Sequence, residues 1–159
     1  MYTRRGFLAA GAAFGIGGVA FGQSRARQVA QGAKIRLALI GCGNQMGGLI
    51  RRMGGGSNVE IVAMCDPYDI QFGHVKTSAA QFYDAGNAID FSKTRTFVDY
   101  REMYAKCGDE LDAVFVATPN HHHALPLLMA IRRGIHVYAE KPLALTMEEV
   151  ELLEREAKK

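Results

Sequence analysis

The chain has 159 residues, enough for one domain with one hydrophobic core. Apolar residues make up 48% and charged residues 22%, an ordinary globular balance that excludes a disordered or fibrous chain. The net charge of +3 comes without a basic block, which argues against a nucleic-acid partner, and three cysteines without C-x-x-C spacing argue against a zinc site or a disulfide framework.

The chain opens on Thr3-Arg4-Arg5-Gly6-Phe7-Leu8, followed by the uncharged, small-residue-rich run 9–22. Paired arginines before a moderately apolar segment resemble a twin-arginine export signal. Ala20-Phe21-Gly22 place small residues where cleavage before Gln23 needs them. The expectation is a signal peptide over 1–22, a linker over 23–33 and a periplasmic or exported domain over 34–159. The competing reading is a short membrane anchor or a buried helix. The run is short for a span and its glycines are poor helix formers, so no stable membrane span is expected. The twin-arginine route carries folded proteins.

The stretch from Lys34 to Gly47 organises the rest. An apolar run ends at Gly41-Cys42-Gly43, and a helical pattern starts at Asn44 with Leu49, Ile50 and Met53 on one side. Strand, Gly-x-Gly, helix is the phosphate-binding corner of a dinucleotide fold. The first glycine permits a tight turn. The second lets backbone approach a pyrophosphate. The helix start offers unpaired N–H groups to the anion. The third glycine of G-x-G-x-x-G would fall at 46, which is Met46; glycines follow at 47 and 48 instead.

A second apolar run, 59–65, ends at Asp66-Pro67. An acid at a strand end about twenty residues past the turn accepts hydrogen bonds from the adenosine ribose and repels a 2′-phosphate. NAD is therefore favoured over NADP; the alternative is that Asp66 only caps a turn. Weak helical periodicity covers 69–84, a short strand is expected at 95–97, and a helix at 99–106. Residues 111–117 read as a strong buried strand. Pro126 must lie in the first turn of the following helix, where its missing N–H costs little. Another strand covers 135–139. Thr146-Met147-Glu148-Glu149 is a capping box that opens a last amphipathic helix, with Met147, Val150, Leu153 and Ala157 on one face. Strands alternating with helices imply an α/β fold: a Rossmann-like, doubly wound parallel sheet. The polar loops 41–47, 66–69, 118–123 and 140–142 then fall at the C-terminal strand ends and converge on one crevice.

Gly41-Cys42-Gly43-Asn44, Cys65-Asp66, Ala117-Thr118-Pro119-Asn120-x-x-His123 and Ala139-Glu140-Lys141-Pro142, in that order, resemble the glucose–fructose oxidoreductase and inositol dehydrogenase family (Gfo/Idh/MocA). The resemblance covers 34–159 and implies an NAD-dependent oxidoreductase acting on a sugar or polyol hydroxyl. It implies that Gly41, Gly43 and the backbone of Asn44, Gln45 and Met46 hold the pyrophosphate, and that Asp66 holds the adenosine ribose. Thr118, Pro119, Asn120 and His123 would line the nicotinamide side. Glu140 and Lys141 would reach the nicotinamide ribose and carboxamide, with Lys141 also at the substrate hydroxyl as the catalytic residue. The alternatives are a surface lysine and a histidine that packs at a helix start. His121-His122-His123 does not suit a metal, because three consecutive residues cannot readily point at one ion.

Family members continue into a sixth strand and a second α/β domain that supplies the substrate pocket. The chain stops inside a helical pattern, so the expectation is a nucleotide-binding part, truncated before that domain, with its status as an enzyme open. A glycosidase that uses bound NAD transiently, and a binding fragment without catalysis, are the other readings; a homo-oligomer is possible for a full-length form.

Overall fold

A computed structural model describes residues 29–30, 32–53, 55–56 and 58–159. The export motif and the 1–22 segment lie outside the described residues. Among the described residues, no helix is long and apolar enough to cross a membrane.

The elements in chain order are β1 (Ile35–Ile40), α1 (Asn44–Ile50), β2 (Val59–Cys65), α2 (Ile70–Phe82), β3 (Arg95–Phe97), α3 (Tyr100–Cys107), β4 (Ala113–Val116), α4 (Ala124–Arg132), β5 (His136–Ala139) and α5 (Met147–Ala157). The five strands form one sheet in the order β3-β2-β1-β4-β5, and every pairing is parallel. The order reverses between β1 and β4. That is the topological switch point, where such sheets open a ligand crevice beyond their strand ends.

The strands read as near-continuous apolar runs because both faces are covered. Leu37 and Leu39 of β1 face one core with Met46, Leu49, Ile50, Phe72 and Val75 from α1 and α2. Ala38 and Ile40 face the other core with Met103, Tyr104, Leu127, Ala130 and Leu153 from α3, α4 and α5. The alternation across β1 follows from the two-residue strand period. All four residues are at most 2% exposed.

Helix ends follow local chemistry. Asp99 caps α3, its side chain accepting from Arg101 N. The Thr146/Glu149 capping box forms at the start of α5. Pro126 is the third residue of α4, inside the first turn. Met147 departs from its expected inward face: it is 68% exposed, and Leu153 carries the burial of α5. The first position of a helix has no preceding turn beneath it, so an apolar residue there has nothing of its own helix to pack on.

At the N-terminal end of the sheet, Asp112 fixes β4 against β1. Its carboxylate accepts from Arg36 N at 2.9 Å and from both Nε and NH2 of the same residue. This lies opposite the crevice and belongs to stability.

Candidate functional site

Gly41 closes β1 with φ +80, a conformation glycine adopts without strain. It is also a contact point. A Cβ there would lie 2.7 Å from the carbonyl carbon and oxygen of Ala117 and from Thr118 N. The first glycine thus lets the loop after β4 close on the loop after β1, at the switch point. Gly43 is different: a Cβ there would meet nothing within 4 Å. It borders open space at the start of α1, and no side chain caps that helix end. The N–H groups of its first turn therefore lack an intrahelical partner.

Position 46 does not do a glycine's work. Met46 is fully buried in the core beneath the sheet. Gly47 takes over a packing role, but against a helix rather than a strand. A Cβ on it would lie 2.7 Å from Ser78 Oγ of α2. The one-residue offset turns the small residue towards α2 and the methionine towards the sheet.

Asp66 follows β2 and is 8% exposed. One carboxylate oxygen accepts from Cys42 N at 2.8 Å, the other from Tyr68 N at 2.9 Å. It is more than a turn cap: it reaches across to the glycine turn and fixes its backbone. A carboxylate oxygen accepts about two hydrogen bonds, so each keeps capacity for a ribose hydroxyl. The residues therefore fit a dinucleotide: a glycine with clear space before it, a helix start without a side-chain cap, and a carboxylate with lone pairs left.

Cys42 lies inside the turn and is fully buried. Burial pushes its thiol far above the ordinary range, and the neighbouring Asp66 charge adds to the push. Burial likewise pushes Cys65 up to about 12. Both stay protonated and inert near neutral pH. Cys42 offers the site its backbone, not its sulfur.

The loops after β4 and β5 meet through one side chain. His123 is 1% exposed. Its Nε2 lies 2.6 Å from Thr118 O and its Nδ1 lies against Pro142 O. The Thr118 hydroxyl donates to His122 O at 3.0 Å and tightens the same turn. Pro119, Asn120 and Lys141 are exposed, and Glu140 is half-buried. The three histidines diverge: His121 is exposed, His122 sits edge-on to the Tyr100 ring, and His123 is buried. The loops after β1, β2, β4 and β5 are thus joined by contacts from Asp66 through Cys42 and Gly41 to Ala117, and from Thr118 through His123 to Pro142.

Residues 35–159 match the family described as "Oxidoreductase family, NAD-binding Rossmann fold", GFO_IDH_MocA. The chain belongs to the Gfo/Idh/MocA family. The chain is similar to a glycosyl hydrolase family 109 protein of Streptomyces niveus, 33% identical over 73% of this chain and 22% of that protein's length. The rhizopine catabolism protein MocA of Rhizobium meliloti is 30% identical, over 73% of this chain and 32% of its own. The crystal structure of the WlbA dehydrogenase from Bordetella pertussis, in complex with NADH and UDP-GlcNAcA, superposes with a TM-score of 0.60. It is 25% identical and aligns over 79% of this chain and 34% of that one. The chain thus spans about a third or less of these three proteins.

Three features of this Gfo/Idh/MocA domain were not legible from motifs. The Gly41–Ala117 approach needs the strand order, which no single segment encodes. The Asp66–Cys42 bond needs the pairing of β1 with β2. The His123–Pro142 contact needs β5 placed beside β4. A spacing signal existed only for Asp66, through its distance from the glycine turn.

Proposed function

We propose that this chain is the NAD-binding part of an exported oxidoreductase that acts on a sugar or polyol hydroxyl. The observation that carries the reading is the joining of four strand-end loops at the β1/β4 switch point, with Gly43 open and Asp66 half-committed. In this reading Gly43 and the backbone of Asn44, Gln45 and Met46 hold the pyrophosphate. Asp66 takes the adenosine ribose and repels a 2′-phosphate. Thr118, Pro119 and Asn120 border the nicotinamide side, with Glu140 at its ribose.

Bound NAD supplies the hydride acceptor. A carbinol carbon gives up hydride only as its hydroxyl proton leaves. The Lys141 amine takes that proton as the hydride leaves, and the ammonium so formed holds the oxygen. The exposure of Lys141, two residues past the end of β5, supports that role. The export motif supports a periplasmic setting.

The likeness to a glycosyl hydrolase family 109 protein favours a second reading, a glycosidase that oxidises, eliminates, hydrates and re-reduces with its NAD retained. Net NADH accumulation by the whole protein separates the two: the dehydrogenase shows it and the glycosidase does not.

Calorimetric titration tests the shared part. NAD+ is expected to bind this chain, and NADP+ to bind at least about tenfold more weakly, because its 2′-phosphate approaches the Asp66 carboxylate. Binding of neither nucleotide would remove the proposal.

A further inference from the structure

The segment that carries Lys141 leaves the sheet at Glu140, whose N–H makes the last ladder bond, to Val116 O at 2.9 Å. Its far end is fixed where Glu149 accepts from Leu145 N at 3.0 Å and from Thr146 N. Between these ties His123 makes a polar contact to Pro142 O. Leu143 and Ala144 pack partly against the core. Apolar packing is non-directional and does not by itself orient the peptide next to Lys141.

His123 is well placed to orient it. The ring is buried and sits on a turn that is itself anchored. His122 N donates to Pro119 O at 2.8 Å, the Thr118 hydroxyl donates to His122 O, and the His122 ring rests on Tyr100 of α3. Both ring nitrogens face carbonyl oxygens, which only accept. The nitrogen that carries the proton donates to the carbonyl it faces, and the ring spans the gap between the Thr118 peptide and the Pro142 peptide. At 1% exposure it presents almost no surface to a ligand.

We propose that His123 is a positioning residue that sets Lys141 by bridging the loops after β4 and β5, rather than a wall of the nicotinamide pocket. The role assigned to Lys141 rests on the function proposed above; the bridge does not.

The test uses this chain with His123→Leu and His123→Gln. Without nucleotide, amide hydrogen exchange at Glu140 and Leu145, the bonded amides at the two ends of the segment, is expected to speed up about tenfold in His123→Leu, the loss of roughly one hydrogen bond, with Leu37 to Ile40 unchanged. His123→Gln keeps an N–H donor and is expected to fall between. Next, ADP and NAD+ are titrated separately. ADP reaches only the Gly43 and Asp66 side, so its affinity is expected to hold within twofold while that for NAD+ falls about tenfold. A merely structural role would weaken both together.

Unchanged loop exchange in the variants, or a parallel loss of ADP and NAD+, overturns the proposal. If His123→Leu does not fold, His123→Gln decides by the same readings. If the unmutated chain binds neither ADP nor NAD+, the proposed function fails, and loop exchange alone decides the bridge.

Discussion

Gly41→Ala is expected to lower the melting temperature by roughly 10 °C, while Gly43→Ala leaves it within about 2 °C and abolishes measurable NAD+ binding. The two glycines sit two residues apart in one turn, yet their surroundings are opposite. At Gly41 the added methyl would meet Ala117 C, Ala117 O and Thr118 N, each at 2.7 Å. These are backbone atoms at the end of β4 and cannot swing away as a side-chain tip can. The φ of +80 adds a left-handed penalty of about 1 kcal/mol for any L side chain. Overpacking against backbone adds about 1–3 kcal/mol, for a total of roughly 2–4. At about 2–4 °C per kcal/mol for a chain of this size, the shift is near 10 °C. At Gly43 the methyl meets nothing within 4 Å, and the fold does not register it. In the proposed function it projects where a pyrophosphate would come close to backbone. Differential scanning fluorimetry and calorimetric titration on the same two variants check both halves. Equal thermal losses in the two would contradict the division of labour.

Asp66→Asn is expected to weaken NAD+ by about 30-fold and to erase most of the preference over NADP+. The substitution keeps the volume and removes the charge. The carboxylate accepts from Cys42 N and Tyr68 N, one on each oxygen. An amide has one oxygen to accept and an NH2 group that must face a second donor. One backbone N–H of the turn then loses its partner, which costs about 1–3 kcal/mol in a site only 8% exposed. The ribose loses a charged acceptor at the same time. The 2′-phosphate of NADP+ loses a repelling neighbour, so its affinity holds or rises. Parallel titrations with the two nucleotides measure the ratio directly. An unchanged ratio would mean that Asp66 serves the turn alone.

Much of this fold is legible in the sequence because buried parallel strands announce themselves. The run 59–65 and the strand at 95–97 coincide with β2 and β3 as formed. The capping box at Thr146 and the position of Pro126 follow from local hydrogen-bonding chemistry, which tertiary structure does not alter. The strand at 111–117 is shorter than its apolar run, because Leu111 and Asp112 belong to the turn that enters β4. Both are buried, and Asp112 bonds to Arg36 O and accepts from His136 N at the sheet edge, so hydropathy does not mark where the strand begins. At the site, residue types and spacing point to Gly41, Gly43 and Asp66. They do not reveal that Gly41 contacts the end of β4, or that Asp66 braces the turn, because both depend on strand order. His123 shows the limit most clearly. Its motif places it among loop residues near the crevice, while its ring turns inward to two carbonyls. Side-chain direction within a short turn is set by the chain it packs against, and that chain lies nineteen residues further on.

We propose that a dinucleotide binds along the crevice between β1 and β4. A two-dimensional amide NMR titration of this chain with NAD+ tests it most directly. Shifts are expected to be confined to Gly41 to Met46, Asp66 and Tyr68, Thr118 and Asn120, and Glu140, Lys141 and Leu143. The amides of Arg36 and Asp112, at the opposite end of the sheet, should stay still. Saturating shifts around Arg36 and Asp112, or no saturating shifts at all, would contradict it.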